Sequence, residues 1–241
     1  VISVVVPVHN ESANVPPLIA EIEAALSGSA FEAVFVDDRS SDDTLAVLRE
    51  QARTRPWLTV MAHRANCGQS AALLTGVRAA AGPLVATLDG DGQNDPADIP
   101  ALAARWQTLH DAAPDTPVLI AGWRNKRQDT PLRRWSSKVA NGVRARLLGD
   151  ATPDTGCGLK VFARDDFLAL PWFNHMHRFL PALMRRAGGQ VESVPVAHRH
   201  RTQGQSHYGV HNRLWVGLVD LLGVVWLQRR ARVPLADRIT D

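Results

Sequence analysis

The sequence predicts an α/β fold with a mostly parallel central sheet flanked by helices, and three observations lead there. Short apolar runs rich in β-branched residues recur along the first half of the chain, each ends in a polar turn, and stretches of helical period separate them. Runs without a polar face suit strands covered by helices on both sides, which is the condition of a parallel sheet.

Taken in order, "ISVVVPV" (2–8) reads as the first strand, "HNES" as its turn, and Val15, Leu18, Ile19, Ile22 and Leu26 as one face of the helix that follows. The unit recurs in "FEAVFVD" (31–37) and "DRSSDDT", where Ser40 and Asp43 have the spacing of a capping box ahead of a helix bearing Leu45, Leu48 and Ala52. "LTVMAH" (58–63), "PLVATLD" (83–89) and "PVLIAGW" (117–123) continue the strands, with helices near 69–81 and 97–111 between them. Beyond residue 130 the pattern changes to a helix over about 133–148, an irregular "GDATPDTGCGLKVF", a short helix near 177–187 and a strand "QVESVPVAHR" (190–199). This second part extends the same domain, and no internal repeat interrupts it.

Composition narrows the function classes. The 241 residues are 45% hydrophobic, enough for a substantial core, and carry a net charge of +3 with a pI near 9.3. Nucleic acid is not indicated by so small a net charge. Basic residues instead gather in "WRNKRQDTPLRR" (123–134) and "HRHRTQGQSHYGVHNR" (198–213), opposite acidic pairs in the first half. That asymmetry suits an anionic ligand held between a metal side and a basic side. Cys67 and Cys157 lack metal-ligand spacing and suggest a reducing, cytosolic setting rather than a disulfide framework. His198, His200, His207 and His211 match no standard metal site. No signal peptide is recognised, and the longest apolar stretch, "LWVGLVDLLGVVWL" (214–227), is too short to span a bilayer and is broken by Asp220. With Arg213 before it and "RRAR" (229–232) after it, the segment fits either an interfacial helix on anionic lipid or a helix packed on the core.

In parallel sheets ligands bind beyond the carboxyl ends of the strands. There the sequence places His9 to Glu11, Asp37 and Asp38, Arg64 to Gly68, Asp89 to Asp95, and Arg124. "DGDGQNDPADIP" begins like a calcium loop but has Asn94 where glycine is needed and Pro100 where the bidentate carboxylate is needed. Asp89 and Asp91, two apart and separated by Gly90, better fit Mg2+ or Mn2+ completed by diphosphate oxygens, with Gly90 and Gly92 allowing close backbone approach.

The segments "VVVPVHNE", "VFVDDRSSDDT", "RANCGQSAALLTGVRAA", "LDGDGQNDP", "GWR" and "RTQGQSHYG" occur in the order found in family 2 glycosyltransferases, and "HMHRFLPALMRRAG" (175–188) resembles a motif of the polyprenyl-phosphate, dolichol-phosphate mannose synthase-like branch. The resemblance implies a GT-A fold with residues 1–125 as a nucleotide-binding half, 126–210 as an acceptor-side half, and 211–241 as a C-terminal helix and tail. It implies that Pro7, Val8, Glu11, Asp38, Gly68, Asp89 and Gly90 bind the nucleotide, Asp38 through the base. Asp89, Asp91 and Gln93 would hold the metal, and Arg124, Arg133 or Arg134, Arg201 and Ser206 would meet phosphate. Asp91, Arg124 and Arg201 thereby become candidate catalytic residues, joined by Asp154 as a base if the acceptor is a hydroxyl, though a loop aspartate bonded to its own backbone is the other reading of Asp154.

The activity so implied is inverting transfer of a sugar from a UDP- or GDP-sugar to a polyprenyl phosphate at the cytoplasmic membrane face, with peripheral membrane contact and a membrane protein as a further partner. The branch's cationic residue in G-x-S-K is His207 in this chain. Alternatives are a transferase with a soluble or polysaccharide hydroxyl acceptor, a non-catalytic nucleotide-sugar-binding subunit, and a nucleotidyltransferase, whose Gly-rich, Arg-containing first loop is missing from "PVHNESANVP".

Overall fold

The computed structural model describes residues 1–124, 142, 144, 146–150, 152–199 and 210–230. The first strand, β1 (Ile2–Val8), lies inside the sheet, paired in parallel with β2 (Phe31–Asp37) on one side and β4 (Leu84–Thr87) on the other. Its alternating side chains enter two separate cores. Val4, Val6 and Val8 pack with Phe35, Leu18, Ile19 and Ile22, while Val5 faces Val34, Val36, Leu73 and Val77. This is why the strand is apolar on both faces from Val4 to Val8: each fully buried valine contributes about 1.5–3 kcal/mol, and the buried Ser3 is satisfied by Glu32.

With β3 (Leu58–Ala62), β5 (Val118–Arg124), β6 (Lys160–Ala163) and β7 (Gln190–Val196), the sheet has seven strands in the order β3-β2-β1-β4-β6-β5-β7. All run in one direction except β6, which is antiparallel to both β4 and β5. The carboxyl ends of the other strands therefore meet on one rim. Helices α1 (Val15–Ala25), α2 (Thr44–Ala52), α3 (Gln69–Ala79) and α4 (Ile99–Ala112) are the crossovers. Trp106 of α4 donates from Nε1 to the carbonyl of Val118 at 3.1 Å, tying that helix to β5.

Three expectations are corrected. The stretch read as irregular ends in β6, a four-residue strand with lysine at its first position giving no apolar run to recognise, and the short helix α5 (Arg164–Leu168) follows it directly. The predicted box of Ser40 and Asp43 does not cap α2. Asp42 Oδ1 receives the Thr44 amide at 3.0 Å, and Ser40 Oγ instead receives the amide of Asn10. Strand β4 ends at Thr87, so Leu88 and Asp89 have already left the ladder.

Near the C-terminus, α6 (Leu180–Arg186) follows a 3-10 turn (Met176–Arg178), and α7 spans Val210–Arg229. Val224 of α7 is fully buried, and His175 Nδ1 lies 3.0 Å from Asp220 Oδ2, which accounts for the aspartate within the apolar stretch. Leu218, Val219, Leu222 and Trp226 are exposed. The helix thus packs on the core by one face and presents apolar side chains on another. Among the described residues no helix is long and apolar enough to cross a membrane.

Candidate active site

The acidic loop begins where β4 stops. Thr87 donates from Oγ1 to the carbonyl of Gly158 at 2.6 Å, and Leu88 donates its amide to Val5. Asp89 then rests directly on Gly158, where an added Cβ would come within 2.3 Å of the carboxylate. Gln69 at the start of α3 donates to Asp89 Oδ1 at 2.7 Å. Burial, and next the charge of Asp91, push the Asp89 carboxyl up to about 6, against the opposing pull of Lys160, Arg124 and the Gln69 bond.

The fold itself requires glycine at position 90: a Cβ would meet Val8 Cγ1 at 2.6 Å and the Pro7 carbonyl at 2.9 Å. Gly92 has φ +71°, a left-handed turn that glycine adopts at no steric cost. Gln93 donates its amide to Asp91 Oδ1 and accepts from the Arg199 amide. Asp95 accepts from Ala97 N at 3.0 Å, as a cap on the turn leading to α4, and pairs with Arg199 at 2.6 Å. Arg199 also reaches Glu21 at 2.7 Å, so it ties the end of the loop to α1. Sequence reasoning missed Arg199, which differs from its basic neighbours in no local feature.

At the other end of the rim, Val8 is buried in the core and contributes its carbonyl, which accepts the Asp38 amide at 2.9 Å. Pro7 lies beside it, half-buried. Glu11 Oε2 accepts from Asn14 Nδ2 at 2.6 Å, and the Glu11 amide donates to Thr44 Oγ1. Asp38 is engaged at both oxygens: Oδ1 by the Cys67 amide and His63 Nδ1, each at 2.8 Å, and Oδ2 by the Gly68 amide at 2.7 Å. Its evident structural work is to shape the turn of residues 63–68, in which Gly68 has φ +86°. Asp38, His63 and Cys67 stand close enough to share an ion, and the hydrogen bonds of His63 to Asp38 and Thr75 account for the grouping.

Between these ends lies a set of buried charges. Arg124, at the end of β5, grips Asp154 through Nε at 2.6 Å and Nη2 at 2.9 Å. Both partners are largely buried, and the hydrogen bond to Asp154 raises the Arg124 pKa further. Arg144 pairs with the buried Asp150 at 2.5 Å. Lys160, 4% exposed, donates from Nζ to the carbonyl of Cys157, and burial lowers its pKa. A cavity of about 280 Å³ opens between Asp89, Gln69, Lys160, His177 and Arg178. His177 Nδ1 lies 2.7 Å from Ser70 Oγ, and burial, then Arg178, hold its pKa down to about 3, so the ring is neutral at physiological pH.

The structure therefore gathers Pro7, Val8, Glu11, Asp38, Gly68, Asp89, Gly90, Asp91, Gln93, Arg124 and Asp154 along one rim, with the first five at the end formed by β1 and β2. Arg133, Arg134, Arg201 and Ser206 lie outside the described residues.

Residues 3–170 match the family described as Glycosyl transferase family 2. The chain belongs to that family. A family 2 relative, the dodecaprenyl-phosphate galacturonate synthase of Rhizobium johnstonii, is 35% identical over 239 residues, covering 97% of this chain and 69% of the relative. The undecaprenyl-phosphate 4-deoxy-4-formamido-L-arabinose transferase of Pseudomonas savastanoi pv. phaseolicola is 35% identical over 211 residues, covering 86% of this chain and 60% of that protein. The chain thus spans about two thirds or less of these relatives' length. Two solved structures share the fold. Glucosyl-3-phosphoglycerate synthase from Mycobacterium tuberculosis, in complex with Mn2+, uridine diphosphate and phosphoglyceric acid, superposes with a TM-score of 0.64 at 18% identity, covering 96% of this chain and 79% of that one. A mannosyltransferase from Pyrobaculum calidifontis, in complex with GDP-Man and Mn2+, gives 0.63 at 21% identity over 97% of this chain and 65% of that one. The family 2 chain described here accordingly has the GT-A fold that the resemblance implies, built on the mostly parallel α/β sheet that its sequence pattern predicts.

Proposed function

We propose that this chain transfers a sugar from a nucleoside diphosphate sugar, UDP- or GDP-linked, to a polyprenyl phosphate, with inversion at the anomeric carbon. The observation that carries the choice of acceptor is the Arg124–Asp154 pair. A hydroxyl acceptor needs a base, and both oxygens of Asp154, the candidate base, are held by Arg124 in a largely buried contact. Freeing Asp154 would leave a buried, uncompensated guanidinium, at a cost of about 3–5 kcal/mol. A phosphate monoester acceptor, with a second pKa of about 6, is already largely ionised at neutral pH and needs no base. The names of the relatives, both polyprenyl-phosphate transferases, support the same choice.

The donor set fits a divalent cation. Asp89 is a carboxylate with one side-chain hydrogen-bond donor among the described residues, Gln69, and a second carboxylate, Asp91, lies two residues on. Asp89 and Asp91, with Gln93 beside them, would hold Mg2+ or Mn2+, and the ion would supply charge stabilisation to the departing diphosphate. Arg124 keeps the N–H groups not used on Asp154 for phosphate oxygens. Gln69 and Gly158 fix the Asp89 carboxylate between them, so the loop needs little rearrangement when the donor arrives. In this reading residues 1–125 hold the nucleotide, 126–210 complete the acceptor side with Arg134, Arg201 and Ser206 as phosphate contacts, and 211–241 form the membrane-proximal helix and tail. The exposed Leu218, Val219, Leu222 and Trp226, with Arg230 lying over Trp226 at 5.9 Å, support peripheral contact with anionic lipid at the cytoplasmic face, where a membrane protein partner would act.

The test is turnover of a panel of UDP- and GDP-sugars with Mn2+, with and without EDTA, and with undecaprenyl phosphate as acceptor. Metal-dependent transfer to the lipid is expected. Nucleotide binding with no turnover would favour a binding subunit, and lipid-independent transfer to a sugar hydroxyl that is lost in Asp154→Asn would favour the soluble-acceptor reading.

A further inference from the structure

The cavity behind Asp89 contains a charge that the transfer reaction, as described so far, does not use. Lys160 rises from β6 on the sheet face where α3 and α6 pack, between Thr87 of β4 and Ala121 of β5. It is 4% exposed and lines the cavity together with Gln69, Asp89, His177 and Arg178. An ammonium has three N–H groups, and the acceptor it finds among the described residues is one neutral carbonyl, that of Cys157. A buried cation satisfied so sparsely is costly unless an anion joins it. Of the carboxylates that act on it, Asp154 is committed to Arg124, and Asp89 would be committed to the divalent ion. Burial favours the neutral amine, so once the donor complex forms an anion entering the cavity would both restore the charge of Lys160 and pair with it.

The other polar groups at that wall are also donors or neutral. Arg178 is cationic, and the ring nitrogen of His177 that does not bond Ser70 is on a neutral imidazole. The cavity, about 280 Å³, has room for a sugar ring and adjoins the proposed diphosphate site at Asp89. The hydroxyls of a neutral hexose would offer acceptors but no countercharge. A carboxylate on the ring would offer both.

We propose that this cavity receives the transferred sugar and that Lys160 selects a donor whose sugar carries a carboxylate, a hexuronic acid. The inference rests on the transferase reading above and adds to it the class of the sugar.

The experiment compares UDP- and GDP-linked hexuronates with the corresponding neutral hexoses, by turnover and by calorimetry in the presence of Mn2+, for the wild-type chain, Lys160→Met and Lys160→Arg. The wild type is expected to favour the uronate by about 10- to 100-fold in kcat/KM and in binding, the range of one charge-assisted hydrogen bond. Lys160→Met should lower uronate-donor binding far more than binding of the bare nucleoside diphosphate, and Lys160→Arg should keep part of the preference. Equal or better use of the neutral hexose by the wild type would overturn the proposal, whatever the variants do. So would an equal loss of bare nucleoside diphosphate binding in a folded Lys160→Met protein, since Lys160 would then meet the diphosphate. Uronate-selective binding with no turnover of any donor would uphold the pocket and overturn the transferase reading instead.

Discussion

Replacing Asp89 by asparagine should stabilise the ligand-free protein while abolishing its use of metal. The carboxyl is raised from 3.8 to about 6 in the folded state, first by burial and then by Asp91. Folding therefore favours its protonated form, and the ionised form costs stability. That cost is fully present above the folded value of about 6, shrinks as pH falls below it, and vanishes below 3.8. A shift of about two pKa units corresponds to about 3 kcal/mol at pH 8 and under about 1 kcal/mol at pH 4. Asparagine keeps the shape and the acceptor for Gln69 but carries no charge, so it should recover that amount. Urea unfolding of wild type and Asp89→Asn in EDTA at pH 8 and pH 4 measures the difference directly. A variant that is no more stable than wild type at pH 8, or whose advantage does not change with pH, would refute the burial argument. The same variant should lose the Mn2+ dependence of nucleoside diphosphate binding.

Other predictions follow from single contacts. Apparent Mn2+ affinity should rise about tenfold per pH unit below about 6 and level off above it, because the ion competes with the proton on Asp89; calorimetry across pH 5–8 reads this, and a flat profile would count against Asp89 as a ligand. Gly158→Ala places a Cβ 2.3 Å from the Asp89 carboxylate and should cost about 1–3 kcal/mol in unfolding experiments while weakening metal-dependent nucleotide binding; unaltered binding would mean that Gly158 does not position Asp89. Asp154→Asn leaves Arg124 without its buried countercharge and should destabilise by about 3–5 kcal/mol in urea titration, more than it changes any proton-transfer signature in a kcat–pH profile. Leu222→Lys should weaken sedimentation with anionic vesicles without altering nucleotide binding, and unchanged sedimentation would remove α7 as the lipid contact.

Much of the fold was legible because burial on both faces leaves a mark on the chain. Val4, Val5 and Val6 are all fully buried, so β1 could hardly be read as anything else. Strand β6 left no such mark, being short, antiparallel and headed by Lys160, a residue type that reads as surface until tertiary packing buries it. The acidic loop was legible as chemistry, since Asp89 and Asp91 lie two apart in sequence just after a strand. Its support was not: Arg199 reaches Asp95 and Glu21, and Arg124 pairs with Asp154 thirty positions away. Such partners are set by sheet order, which no local pattern encodes. Gly90 has a second constraint that the sequence did not show, since a Cβ there would run into Val8 and Pro7 of the neighbouring strand. The capping of α2 failed for a similar reason. Asp42 and Ser40 were both available, and the tertiary contact of Ser40 with Asn10 decided between them.

The most direct test of the central claim is a single-turnover measurement of sugar transfer from a nucleoside diphosphate sugar to undecaprenyl phosphate. With Mn2+ present, the chain should yield lipid-linked sugar and free nucleoside diphosphate in equal amounts, and EDTA or Asp89→Asn should stop both. Formation of the lipid product at an unchanged rate in EDTA, or its absence with every donor while the nucleotide still binds, would contradict the account.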